Sequence, residues 1–413
     1  MREEFRATAV AELQGLDGAF SFAERLLQRI WAKRDFDLGR AKTTDGRNVR
    51  VLNPGVWNSR GGPDFRQARI EIGGEKVSGD IELHLHASDW AAHGHSRDPN
   101  YNEVVLHVVL FPPACVYTEG SGGRSIPVVA LLPLLYRSLE EYADDEAVER
   151  LANHPLARAQ ESLLKLSREE QLLQLQEGAA ERWRTKVGFA ARRIERLGWS
   201  EACHQTALEI LGYRFNRGPM IALATKYSLE QWPAIAEGER LTRVEAEFDE
   251  RWYRQAVRPA NHPKTRIRQY ALWTARIHNW PERLASFATQ FSPIVNPRMA
   301  TADVRKLTGM ADLWEKVRCE ICGGAVGGTR FRTLLCDGFL PLLAARETKA
   351  DATLRLYWFY GYAGDIPENI SRVLRALNLC GGAKNPLNHG LAQGLLWWCW
   401  RDEEQQQQTT ACP

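Results

Sequence analysis

Between residues 64 and 107 the chain gathers side chains that bind cations and move protons: Asp64, Asp80, Glu82, His84, His86, Asp89, His93, His95, Asp98 and His107. Five of the ten histidines of the whole chain fall in residues 84–107, so the concentration is local. In the run Gly79–His86 polar and apolar residues alternate strictly, and a strand turns successive side chains to opposite faces. Asp80, Glu82, His84 and His86 therefore share one predicted face, with Ile81, Leu83 and Leu85 on the other. Pro63-Asp64 stands at the entrance to the preceding strand. A carboxylate entering one strand and a second on its hairpin partner can converge on one cation. Mg²⁺ takes a few carboxylates and several waters, and nearby histidine admits Mn²⁺ or Zn²⁺ as well. The expected ligands are Asp64 and Glu82, the expected ion is Mg²⁺ or Mn²⁺, and Zn²⁺ is the alternative. His84 would orient the attacking water or take its proton, because imidazole titrates near neutral pH. Asp80, His86 and His107 would back these groups or replace them as ligands. His93 and His95, spaced by Gly94, could bind metal, but their preferred role is a flexible loop beside the site that touches substrate. The competing reading is a solvated strand face on which Asp, Glu and His carry no chemistry.

The elements that must position these groups follow from periodicity. Residues 20–33 have helical apolar spacing. Gln67–Ile72, Val77–His86, Val104–Leu110, Cys115–Thr118 and Ile126–Leu131 read as short strands between Gly, Pro and Asn signals. Gly73-Gly74 suits the two-residue turn of a hairpin. Beyond residue 135 the strands stop, and Arg168–Leu197, Leu241–Val257, Arg266–Ile277 and Leu354–Leu377 have helical spacing, the last with a Gly-rich break at 361–364. The expected fold class is α+β: an N-terminal mixed-sheet α/β domain over 1–135, a mostly helical region over 136–401 and a disordered tail over 402–413.

Two resemblances bear on these residues. The order helix, strand, Pro-Asp hairpin and Glu-x-[basic], then a further strand, resembles the core of the PD-(D/E)XK nuclease superfamily. On that reading Pro63-Asp64 matches the first motif and Glu82-Leu83-His84 the second, with His84 where the superfamily has lysine. The resemblance implies a nuclease-like N-terminal domain and metal-dependent hydrolysis of phosphodiester bonds. The segments NPGVWNSRGGPDFRQARIEI, GDIELHLHASDWAAHGHSRDPNYNEVVLHVV, RPANHPKTRIRQYA and NPLNHGLAQGLL are similar to the bacterial family described as domain of unknown function 2851. That similarity implies one shared architecture for these segments.

A second concentration lies at residues 251–281, where Arg251, Arg254, Arg258, Lys264, Arg266, Arg268 and Arg276 occur without any acid. Trp252, Tyr253, Tyr270, Trp273 and Trp280 are interleaved with them. Basic groups neutralise phosphates and aromatic rings stack on bases, so Arg251, Arg254, Arg258, Lys264, Arg266 and Arg268 are candidates for nucleic-acid binding, DNA ahead of RNA. The alternative is a helix core with arginines snorkelling around it. Arg182, Lys186, Arg193 and Arg196 would line a solvated basic side of a helix whose apolar stripe packs inward. Cys319 and Cys322 have the spacing of half a zinc site without a second half. Gly323–Gly328 lacks the Lys and Ser/Thr of a phosphate loop, and Asn385, Asn388 and His389 read as a helix cap.

The net charge of +3 over 413 residues implies no polyanionic partner by itself. No segment has the apolar length of a membrane span, and the N-terminal segment lacks a signal-peptide core. A cytoplasmic location is expected, with the eight cysteines reduced. The functional expectation is a metal-dependent nuclease. Its rivals are a non-catalytic nucleic-acid-binding or interaction module and a zinc-dependent hydrolase of small molecules.

Overall fold

The computed structural model describes residues 24–58, 61–153, 156–235, 239–247, 252–254, 259–293 and 299–410. The chain divides into two units, Met1–Glu146 and Ala147–Pro413. The division falls at 146 rather than 135 because the helix starting at Leu139 places Tyr142 in the first unit's core. Among the described residues, no helix is long and apolar enough to cross a membrane.

Among the described residues the first unit begins with helix α1 (Glu24–Lys33), whose Leu26, Leu27, Ile30 and Trp31 are buried. Seven strands follow: β1 (Val49–Asn53), β2 (Val56–Trp57), β3 (Phe65–Ile72), β4 (Glu75–His84), β5 (Val104–Val109), β6 (Tyr117–Glu119) and β7 (Ser125–Ala130). They form one mixed sheet in the order β1-β3-β4-β5-β7-β6, with β2 paired to β3. β3 and β4 are an antiparallel hairpin whose closing pair is Ile72 and Glu75. Its two-residue turn needs positive φ at both positions, and Gly73 (60°) and Gly74 (93°) supply it. β5 runs parallel to β4, and β7 parallel to β5. A parallel pair needs a crossover, here the segment containing the short helix α2 (Asp89–Ala92) and the turns His95–Arg97 and Pro99–Tyr101. That crossover carries His93 and His95. Ile81 and Leu83 pack into the core with α1 residues, Phe65, Ile70, Leu106 and Val108. Residues 80 and 82 and His107 belong to the alternate positions of these strands.

Two expectations about the strand face are corrected. β4 ends at His84, so His86 lies outside the strand; the backbone amide of His86 donates to Asp89 Oδ2 at 3.0 Å and the chain turns into α2. The His86 ring is exposed and stacks on Phe111. Asp80 is taken up by a bulge in β3, where Gln67 has φ 56° and its amide donates to Asp80 Oδ1 at 3.1 Å.

In the second unit the predicted helix Arg168–Leu197 forms with those bounds, started by Ser167 and Glu170 in a reciprocal cap. Its basic side is solvated only at its end: Arg196 is exposed, but Arg182 and Arg193 are buried, Arg193 pairs with Glu209, and Lys186 pairs with Asp337. The span 354–377 divides into helices Asp351–Tyr360 and Glu368–Ala376. The last helix, His389–Thr410, runs through 402–410, where a disordered tail was expected; Gln and Glu favour helix and no Gly or Pro stops it. Residues 411–413 lie outside the described residues. Asn388 does cap that helix, its Oδ1 accepting from the Leu391 amide at 2.8 Å. Cys319 is exposed and Cys322 buried, both free, and among the described residues neither belongs to a group of three or more ligands.

Candidate metal centre

Glu82 sits two residues before the end of β4 with its side chain 7% exposed. Its two oxygens face different partners. Oε2 accepts from the Asp64 backbone amide at 3.0 Å. Oε1 lies 3.6 Å from His84 Nε2 and 3.4 Å from His95 Nε2. Burial, and then the nearby Asp64 charge, push the Glu82 carboxyl up to about 9.

Asp64 stands where β3 has not yet begun to pair, and its side chain takes over the missing ladder contact. Its Oδ2 accepts from the Leu83 amide at 3.1 Å and its Oδ1 from Gln28 Nε2 at 2.6 Å. Burial raises its carboxyl to about 6 against the lowering effect of these two hydrogen bonds. Asp64 and Glu82 are therefore neighbours, as the hairpin reading expected. The structure differs in how Asp64 meets Glu82, which is through the Asp64 amide.

His84 is 1% exposed and anchors a row of buried polar groups. Its Nδ1 is 2.9 Å from His107 Nε2, and His107 Nδ1 is 2.7 Å from Thr118 Oγ1. On its other side His84 Nε2 is 3.1 Å from His93 Nδ1. Burial, followed by the fields of the neighbouring imidazoles, pushes His84 down to about 2, His107 to about 3 and His95 to about 4. Neutral imidazole is the ligand form. His95 stacks on Tyr101 with ring centroids 3.8 Å apart and meets Trp90 edge-on. Those contacts hold the His95 ring in place although it lies in a loop. His93 is exposed, so the cluster has an open side.

The donor atoms of His84, His93 and His95 all lie within 4.8 Å of one another. His95 Nε2 is buried without a hydrogen-bond partner, and an orphaned buried nitrogen beside a buried carboxyl fits a cation. Of the expected site residues, the fold brings together Asp64, Glu82, His84, His93, His95 and His107, and leaves out Asp80 and His86. His93 and His95 thus stand inside the cluster and not only in a loop beside it. Sequence reading missed Glu24 and Gln28, whose spacing puts both on one face of α1. Gln28 holds Asp64, and the Glu24 charge acts on both Asp64 and Glu82. Burial raises the Glu24 carboxyl, while nearby His93 lowers it. An i,i+4 polar pair on the helix before a Pro-Asp hairpin was the available signal. Thr118 and Tyr101 gave none.

Of the two readings of the basic stretch, its rings follow the helix-core one. Tyr270, Trp273 and Trp280 are fully buried and Trp252 nearly so. Trp273 Nε1 donates to the Ile321 carbonyl at 2.6 Å. Arg266 is 6% exposed and donates to Gln269 Oε1 and Asn261 Oδ1, so it is a core residue and not a surface contact. Arg254, Lys264 and Arg268 are exposed. Arg251 and Arg258 lie outside the described residues. The aromatic rings, as the snorkelling alternative had it, belong to the helix core.

No curated protein and no solved structure matches the chain. A family model described as "Protein of unknown function (DUF2851)" matches residues 24–248, more than half of the chain and the whole of the site just described, and the chain belongs to that family.

Proposed function

We propose that this chain is a metal-dependent hydrolase of phosphodiester bonds, with a nuclease-like N-terminal unit of the PD-(D/E)XK kind. The observation that carries the reading is the Asp64–Glu82 contact: one Glu82 oxygen is fixed at 3.0 Å by the Asp64 amide while the other faces His84 and His95. Further support comes from the order of elements, α1, then β1 and β2, then the β3–β4 hairpin entered by Pro63-Asp64, then parallel β5. Glu82 and His84 would hold a divalent ion, which when bound supplies Lewis-acid polarisation of the phosphoryl oxygen. Asp64, locked by Gln28 and Leu83, positions the amide that orients Glu82. With its carboxyl near 6, Asp64 is also the better proton acceptor at neutral pH. His84, held near 2, is a poor one, which moves the base role assigned to it by sequence onto Asp64.

Nucleic acid is the proposed substrate, DNA before RNA, with exposed Arg254, Lys264 and Arg268 as the remaining basic candidates. A second reading, a zinc-dependent hydrolase of small molecules, is favoured by the histidine donors and by the burial of Arg266. The test is hydrolysis of single- and double-stranded DNA and RNA and of bis(4-nitrophenyl) phosphate, in Mg²⁺, Mn²⁺ and Zn²⁺, with EDTA controls. Cleavage that EDTA stops and Glu82→Gln abolishes, with an unchanged melting temperature, is expected. Turnover of the aryl ester alone selects the small-molecule reading. Inert wild-type protein in every metal overturns both.

A further inference from the structure

We propose that Glu82, His84, His93 and His95 form a site for one borderline divalent ion of the zinc class, with Thr118 and His107 holding His84 in the tautomer that ligation requires. The inference rests on the reading of Glu82 and His84 as an ion-binding pair, and goes beyond it by assigning the class of ion, two further ligands and two positioning residues.

The donor separations carry the argument. Groups about 2.0–2.1 Å from one tetrahedral ion stand about 3.3 Å apart. Three edges of the cluster bracket that value: His84 Nε2 to His93 Nδ1 at 3.1 Å, Glu82 Oε1 to His95 Nε2 at 3.4 Å, and Glu82 Oε1 to His84 Nε2 at 3.6 Å. The last is too long for a hydrogen bond, and His95 Nε2 makes no hydrogen bond at all. A closed network of hydrogen bonds would leave neither feature.

The second argument is the tautomer. A neutral imidazole has one N–H and one lone pair. When His107 Nδ1–H donates to Thr118 Oγ1, its Nε2 accepts from His84 Nδ1–H, and the His84 lone pair is left on Nε2, facing Glu82 and His93. Thr118, His107 and His84 are 6%, 0% and 1% exposed, so water does not compete along this row. Ligating histidines are held in this way by the group on their other nitrogen.

The third argument is donor type. Imidazoles with a single carboxylate oxygen suit Zn²⁺ and its neighbours, whereas Mg²⁺ requires oxygen ligands and keeps several waters. The Mg²⁺ expected from sequence depended on Asp64 as a ligand, and both Asp64 oxygens already accept hydrogen bonds.

The experiment uses the full chain, stripped of metal and titrated with Zn²⁺ or Mg²⁺ against a chromophoric chelator. One Zn²⁺ per chain is expected, bound more than about 100-fold tighter than Mg²⁺. His93→Ala and His95→Ala each weaken Zn²⁺ binding. Thr118→Val weakens it by about 10–100-fold and Thr118→Ser restores it. ¹⁵N spectra of the metal-free protein show the His84 proton on Nδ1. Equal affinity for the two ions, or unaltered Zn²⁺ binding in the His93→Ala/His95→Ala double variant, overturns the site. A His84 proton on Nε2 with unaltered binding in Thr118→Val overturns the positioning role. Stoichiometric Zn²⁺ without turnover of any phosphodiester sinks the hydrolase reading and leaves the ion site standing; Mg²⁺-supported turnover in the double variant does the reverse.

Discussion

Glu82 is the residue on which the account turns, because its two oxygens join an amide on one side to two imidazoles, His84 and His95, on the other. Its carboxyl, raised to about 9 by burial and by Asp64, is protonated at neutral pH in the metal-free protein. An ion must displace that proton. Binding therefore releases close to one proton at pH 7, and affinity rises by up to about tenfold per pH unit until pH approaches 9. Titrations at pH 6, 7, 8 and 9 check this; a pH-independent constant over that range would mean that Glu82 is not a ligand. The histidines act in the opposite range. Their folded values, about 2, 3 and 4, lie below the unfolded 6.5, so the unfolded chain binds more protons in acid. Their contribution to stability is full above pH 6.5 and is lost as pH falls through those folded values.

At the scale of elements, the β3–β4 hairpin and its parallel neighbour β5 hold the centre. β4 and β5 approach closely at Gly79, where an added Cβ would stand 2.6 Å from the Glu103 carbonyl and 2.4 Å from Val105 Cγ1. The backbone carbonyl cannot swing away as a side chain can. Gly79→Ala should cost about 1–3 kcal/mol, as overpacking does. It should also weaken ion binding by misplacing His107, which faces Glu82 across the two strands. Denaturant unfolding beside an ion titration measures both, and a variant as stable as wild type would show that the strands have room to part. The hairpin, the face shared by Glu82 and His84, and Asp64 at its mouth were legible in the sequence, since each depends on period two and a Gly-Gly turn. Asp80 and His86 were misplaced because a bulge at Gln67 and the end of β4 at His84 depend on pairing with distant residues. The place of His93 and His95 was not legible either: Tyr101 packs on His95 by stacking and Trp90 meets both rings edge-on, and no local pattern announces it.

Over the whole molecule, charge proved a weaker guide than burial. The seven cations of residues 251–281 suggested a phosphate-binding surface, yet Tyr270, Trp273 and Trp280 form a core and Arg266 is buried among amides. Arginine with aromatic residues at helical spacing describes a packed helix as readily as a nucleic-acid contact, and sequence has no access to which side is covered. The second unit therefore lends less to the proposed activity than its composition implied, and the hydrolase reading stands on Glu82 and its neighbours. Its most direct test is turnover of bis(4-nitrophenyl) phosphate and of DNA against ion occupancy, adding Zn²⁺ stepwise to the metal-stripped full chain. The expected result is activity that climbs in proportion to occupancy, levels off at one ion per chain and is lacking in Glu82→Gln. Full occupancy without turnover, or equal turnover in Glu82→Gln, would contradict the account.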